Sequence, residues 1–139
     1  DSFAQLDCGR WAPAHHLVPL AHRVSNYVES AQDWLGAPYL WGGKDGFGID
    51  CSGLVQAALE TAGIACPRDS DMQETALGEA IDPAVPFRRG DLVFWDGHVG
   101  IMLNGMHMLH ANGFHMETVI ELLEQTIART GPPRTVRRL

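Results

Sequence analysis

An α+β fold is what this sequence predicts, on three observations. Apolar residues recur at helical spacing mainly in the first half of the chain. Three short apolar runs follow between residues 91 and 111, and glycines or Asn104 separate those runs. Helices first and strands afterwards imply helices packed on an antiparallel sheet, not alternating parallel units. The chain has 139 residues, 45% hydrophobic and 19% charged, enough for one globular domain whose core needs no metal or disulfide. Cys8, Cys51 and Cys66 are an odd number, which argues against a disulfide scaffold.

The first twenty residues carry little periodicity and read as an extended leader, leaving 21–139 as the domain proper. Val24, Tyr27, Val28, Ala31, Trp34 and Leu35 then fall at helical spacing, and Gly36 with Pro38 ends that run. Residues 39–50 hold four glycines and form a loop able to bring backbone close to another group. A second helix begins at Cys51: Asp50 is a good N-cap, Leu54, Val55, Ala58, Leu59 and Ala62 share a face, and Gly63 supplies the C′ residue. Ser70 and Gln73 have the spacing of a capping box for a short third helix ending near Gly78. Pro83 and Pro86 mark an irregular connection. The runs 91–95, 98–103 and 106–111 make an antiparallel meander, followed by a strand at 116–119, a helix over 122–129 and a last strand around Val136.

Ten basic residues against seventeen acidic ones give a formal charge of −7, and Lys44 is the only lysine, so the chain offers no surface for nucleic acid. Arg134, Arg137 and Arg138 read as a solvated chain end. No apolar run approaches the ~20 residues that span a bilayer. The start has no basic segment followed by an apolar stretch, which with unpaired cysteines favours the cytoplasm, the cell envelope being the alternative.

Cys51 lies in the first turn of a helix, where the macrodipole and unpaired amides favour thiolate over thiol. The same amides suit an oxyanion hole. His98 and His110 sit on successive strands, and the connecting loop decides how they meet. A two-residue Asn104-Gly105 loop would pair Leu103 with Met106 and separate the imidazoles. A three-residue loop over 103–105, with Gly105 left-handed, pairs Met102 with Met106 and sets His98 directly opposite His110. The second arrangement is expected, with His98 as the base for the Cys51 thiol and His110 orienting it. A zinc set from His107, His110, His115 and a cysteine is disfavoured, because His107 and His110 fall on opposite faces of a strand; no metal or other cofactor is called for. His15, His16, His22, His107 and His115 read as structural or exposed.

The segments Gly36-Ala-Pro-Tyr-Leu-Trp-Gly-Gly43, Gly48-Ile-Asp-Cys-Ser-Gly-Leu-Val-Gln56, Pro67-Arg-Asp-Ser70 with Gln73, Arg89-Gly-Asp-Leu-Val-Phe94, His98-Val-Gly-Ile101 and His110-Ala111 together resemble the NlpC/P60 family of cysteine peptidases. The resemblance implies a papain-like α+β fold. It also implies hydrolysis of bacterial peptidoglycan stem peptides or muropeptides, most commonly between γ-D-glutamate and a diamino acid such as meso-diaminopimelate. Cys51 matches the family nucleophile, His98 the base, His110 the orienting residue, and Tyr39 a tyrosine that helps hold the oxyanion. Asp50 would grip the free amine of the stem peptide. Ser52, Arg68 and Ser70 would line the cleft, Arg68 facing a glutamyl carboxylate. The segment Gly9-Arg-Trp-Ala-Pro-Ala-His-His-Leu17 resembles the last strand of a bacterial SH3-like domain. An amidase or acyltransferase of the same architecture, or a noncatalytic peptidoglycan-binding module, are the alternative functions.

Overall fold

The leader is a hairpin, not an extended segment. In the computed structural model, which describes residues 2–82 and 84–139, β1 (Phe3–Gln5) pairs antiparallel with β2 (Trp11–Pro13) as a separate two-stranded sheet, and a 3-10 turn follows at Ala14–His16. Its aromatic side chains, Phe3 and Trp11, are mostly exposed, so this hairpin lies outside the core.

The first main helix, α1 (Tyr27–Gln32), is shorter than the periodicity from Val24 to Leu35 suggests. The Val24 amide is already taken by the Thr61 carbonyl at 2.9 Å. Asn26 caps the helix instead, its side chain accepting from the Val28 amide at 3.1 Å. Trp34 and Leu35 continue as single turns until Gly36, left-handed at φ 79°, ends the run. The glycine-rich loop contains a small ladder, β3 (Lys44–Asp45) against β4 (Gly48–Ile49). It leads into α2 (Cys51–Thr61), whose C-terminus closes as a Schellman motif: Gly63 is left-handed, its amide reaches the Glu60 carbonyl, and the Ile64 amide reaches Leu59, both at 3.0 Å.

The third helix, α3 (Ser70–Ala76), starts where expected but without its capping box. Asp69 is the N-cap and no side chain caps the helix. Gln73 is fully buried and donates to the carbonyls of Ser52 and Pro67, both at 2.9 Å. A buried and a half-buried carbonyl needing a donor outweigh a solvent-facing cap.

The rest of the chain builds one antiparallel sheet from β5 (Glu79–Ile81), β6 (Leu92–Trp95), β7 (His98–Met102), β8 (His107–Asn112), β9 (Glu117–Leu122) and β10 (Thr135–Arg138), with α4 (Leu123–Thr130) between the last two. Its order is β5-β10-β6-β7-β8-β9, so the final strand slots between β5 and β6. Strand β5 occupies part of what reads in sequence as an irregular connection; Pro83 lies outside the described residues. The C-terminal arginines are not a solvated end. Arg138 holds Asp91 through two contacts of 2.7 Å, and Arg134 pairs with Glu74.

Alternation along the strands divides the core in two. Leu92, Phe94, Val99, Ile101, Leu109 and Ala111 face α1 and α2, meeting Val28, Ala31, Leu54, Val55, Ala58 and Leu59. Val93, Trp95, Met102 and Met108 face α4, meeting Leu123 and Ile127. The sheet is therefore the middle of three layers. Phe94, wholly buried on β6 between β10 and β7, should cost about 3–5 kcal/mol on truncation to alanine. Urea unfolding measures this, and a loss below about 1 kcal/mol would contradict the packing described.

Candidate active site

Asp50 and Cys51 open α2 together, and the carboxylate of Asp50 organises the ground around the sulfur. Its Oδ1 accepts from the Gly53 amide at 2.7 Å, capping the helix, while Oδ2 accepts from the Gly42 amide at 2.7 Å. Arg68 adds a two-pronged pair, Nη1 to Oδ1 at 2.9 Å and Nη2 to Oδ2 at 2.8 Å. Arg68 also donates to Ser52 Oγ at 2.9 Å and to the Gly43 carbonyl at 3.2 Å. The Arg68 fork therefore faces Asp50 and not an open carboxylate site. Burial pushes the Asp50 carboxyl up, but Arg68 and the amides of Gly53 and Gly42 outweigh it and hold the group below its ordinary value. Gly53 is required by closeness: a Cβ there would sit 2.6 Å from the Gly43 carbonyl oxygen and 2.9 Å from Asp50 Oδ1.

Cys51 is 7% exposed. Its Sγ lies 3.9 Å from the carbonyl oxygen of Gly97, in the two-residue Asp96-Gly97 turn that joins β6 to β7. The Val99 amide also points at the sulfur. The thiol thus rests against the backbone on both sides of His98, and among the described residues it forms no hydrogen bond with the His98 ring.

His98 and His110 do meet, though not as the sequence predicts. The loop between their strands has three residues, but they are 104–106 and not 103–105. The Leu103 amide bonds the His107 carbonyl at 2.8 Å, and the ladder pairs Ile101 with Leu109 and Met102 with Met108. Asn104 sets this register by accepting from the amides of Met106 and His107, both at 2.9 Å. Gly105 is not left-handed. Continued along the strands, this register puts His98 opposite Asn112, so the two imidazoles are diagonal neighbours. A shift of two residues keeps them on one face. His98 Nε2 lies 2.8 Å from His110 Nδ1, with ring centroids 5.0 Å apart.

That face is the α4 side of the sheet. A cavity of about 180 Å³ there is lined by His98, His110, Asn112, Phe114, Thr126, Arg129 and Thr130. The cleft of about 450 Å³ on the other side is lined by Tyr39, Trp41, Gly42, Asp50, Cys51, Ser52, Arg68, Asp69, Ser70 and Gly97. Cys51 and the imidazoles thus line separate cavities, with Gly97 in the first and His98, its neighbour in the chain, in the second. The Tyr39 hydroxyl bonds no other described residue, and burial together with Cys51 and Asp50 pushes its pKa up.

Sequence reasoning missed Glu121. Its side chain is 8% exposed and its Oε1 lies 2.8 Å from His110 Nε2. The expected strand stopped at residue 119, whereas β9 continues to Leu122 and pairs Glu121 with Met108, a core position. A charged residue at that apolar parity was the available signal. His115, read as structural or exposed, lies 3.3 Å from Glu121 Oε2.

The helix N-terminus does not leave the resting thiol ionised. Burial pushes the Cys51 thiol above its ordinary value, and the Asp50 charge adds to this; the amides of Val99, Ser52 and Cys51 itself pull it down without prevailing. Burial, reinforced by His110, pushes His98 down to about 3. The two groups are therefore neutral near pH 7.

The NlpC/P60 family profile matches residues 36–130. The chain belongs to the NlpC/P60 family. This NlpC/P60 domain is 36% identical over 121 residues to a γ-D-glutamyl-L-lysine dipeptidyl-peptidase of Bacillus subtilis, covering 79% of this chain and 40% of that protein. It is 36% identical over 101 residues to a probable endopeptidase NlpC homologue of Haemophilus influenzae, covering 70% and 54% of the two chains. Among solved structures, an NlpC/P60 protein of Bacillus cereus superposes with TM-score 0.72 at 30% identity, over 81% of this chain and 39% of that one. The peptidoglycan hydrolase RipB of Mycobacterium tuberculosis superposes with TM-score 0.72 at 30% identity, over 91% and 71%. The chain thus spans less than half the length of the Bacillus subtilis relative. Tyr39, Cys51, His98, His110 and Glu121 all lie inside the matched residues; the leader, read above as the end of an SH3-like domain, lies outside them. No helix among the described residues is long and apolar enough to cross a membrane.

Two measurements check this site. Gly53→Ala should lower stability by about 1–3 kcal/mol, because backbone and cap both crowd the new methyl; an unchanged denaturant midpoint would show that the loop yields freely. The alkylation rate of Cys51 should rise with pH through a midpoint above that of a free cysteine in solution. A midpoint near neutrality would mean that the resting thiol is ionised after all.

Proposed function

We propose that this domain is a cysteine peptidase of peptidoglycan stem peptides, cleaving the amide between γ-D-glutamate and the following diamino acid. The observation that carries the reading is the cysteine at the start of α2, on the floor of an open cleft and packed against the backbone that presents His98. Relatives named as γ-D-glutamyl-L-lysine dipeptidyl-peptidase and as an endopeptidase support the substrate class. A diamino acid is the common element of that name and of the diaminopimelate expected from the resemblance.

Cys51 Sγ attacks the γ-carbonyl of the glutamyl residue as its proton passes to His98. The side chain must leave the Gly97 carbonyl and turn toward the imidazole for this, a tightening of contacts that substrate binding commonly supplies. The negative charge on the carbonyl oxygen is met by the Cys51 amide and the Tyr39 hydroxyl. Return of the proton from His98 to the leaving amine breaks the C–N bond and leaves a thioester. Water, deprotonated by His98, then attacks the thioester, and the departing sulfur recovers its proton. Because thiol and imidazole start neutral, the proton moves during attack and not before it. Asp50, Ser52, Arg68 and Ser70 border the cleft where the peptide amine and carboxylates would lie. A substrate amine reaching Asp50 would share a carboxylate that already carries Arg68.

Cys51→Ala should abolish release of the diamino acid from L-Ala-γ-D-Glu-diamino acid peptides while leaving thermal unfolding intact. His98→Ala should lower kcat about 10²- to 10⁴-fold. Acid-quenched wild type should carry the mass of the acyl fragment on Cys51. Hydrolysis by the Cys51→Ala protein would overturn the assignment, and peptide binding without any acyl adduct would mark a noncatalytic binding module.

A further inference from the structure

The imidazole pair ends in a carboxylate that neither the motif pattern nor the expected strand boundaries single out. From the sulfur side inward the order is His98, His110, Glu121, with two contacts of 2.8 Å linking the three side chains. Resting on the reading of Cys51 and His98 above, we propose that Glu121 is a positioning residue that fixes the tautomers of both histidines and leaves His98 Nδ1 as the basic nitrogen for the thiol proton.

The argument is one of donors and acceptors. An ionised carboxylate can only accept, so the proton of His110 must sit on Nε2. A neutral imidazole carries one N–H, which makes His110 Nδ1 an acceptor. The contact between the rings must then be donated by His98 Nε2, and His98 Nδ1 is left with its lone pair free. Remove the carboxylate and nothing else among the described residues forces this choice. The Asn112 amide nitrogen lies 3.1 Å from His110 Nε2 and would favour the reverse tautomer. A charge-assisted bond at 2.8 Å outweighs it.

Glu121 is built to stay ionised. It is faced by Thr126 Oγ1 at 2.7 Å and by Arg129 from α4, by His115 from the turn after β8, and by His110 on β8, with His98 of β7 one ring further on. Burial pushes its carboxyl up, but Arg129, Thr126 and His115 outweigh this and hold it down to about 2. Arg129 is itself fixed by stacking over the Phe114 ring, 4.2 Å from the centroid. With Arg129 beside it, the carboxylate adds little net field at His98, so its influence passes through proton placement and ring orientation.

The experiment combines ring ¹⁵N NMR of histidine-labelled protein with steady-state kinetics of Glu121→Gln and Glu121→Ala. In the wild type, both His98 and His110 should be protonated on Nε2 near pH 7. In Glu121→Ala the tautomers should become mixed or reversed, and in Glu121→Gln, whose amide oxygen can still accept from His110 Nε2, they should shift less. The kcat of both variants for the stem peptide should fall about 10- to 10³-fold, less than the loss known for a carboxylate in direct contact with a catalytic histidine, with KM within about twofold. A purely structural role would leave the tautomers of the folded fraction unchanged. Protonation of His110 on Nδ1 in the wild type would overturn the proposal without any variant having to fold. Unchanged tautomers or unchanged kcat in a folded Glu121→Ala protein would overturn it as well. Should Cys51→Ala retain hydrolysis, the peptidase reading fails on its own, while the wild-type ring spectrum still reports on Glu121.

Discussion

One carboxylate holds the cleft together. Asp50 caps α2, anchors the glycine-rich loop through Gly42, and receives both prongs of Arg68, which in turn reaches Ser52 and the Gly43 carbonyl. The three groups that bond the carboxylate directly, Gly53, Gly42 and Arg68, come from different stretches of chain, and each would lose a polar partner without it. The position of the sulfur follows from them, since Cys51 is the next residue along and is carried on the first turn of the helix. Gln73 reinforces the same place from α3 by taking the Ser52 carbonyl. The small residues around Asp50 follow from this crowding: at Gly43 and Gly53 a side chain would collide with backbone.

The chemistry is shaped by a contest between burial and the helix terminus. A helix start favours a thiolate by a modest electrostatic term, whereas enclosing the sulfur in the core beside Asp50 removes the water that would stabilise the charge. Burial prevails, and it lowers both imidazoles as well. Thiol and imidazole are thus both neutral near pH 7.

Local signals were legible in the sequence and remote ones were not. The N-cap at Asp50 and the glycine at Gly63 fix α2 within a residue, because both devices act over a single turn. Strand alternation was legible for the same reason, so the shared face of His98 and His110 survives even though their register is offset by two. The offset itself hangs on which amides the Asn104 side chain chooses, a choice that loop length alone does not determine. Strand β5 escaped notice because three residues carry no periodicity; it exists through pairing with β10, more than fifty residues away. Asp91 and Glu74 were hidden likewise: their arginine partners looked like a charged tail until the last strand put them beside the carboxylates. Glu121 was invisible while β9 was read as ending early.

The position of β10 governs the order in which the chain can be completed. Because the last strand lies between β5 and β6, those two have no direct pairing with each other and wait for residues 135–138 to bridge them. In vectorial synthesis these residues follow every other strand of the sheet. A folding domain therefore holds an unfilled slot, with β6 open along one side, until residues 135–138 close it.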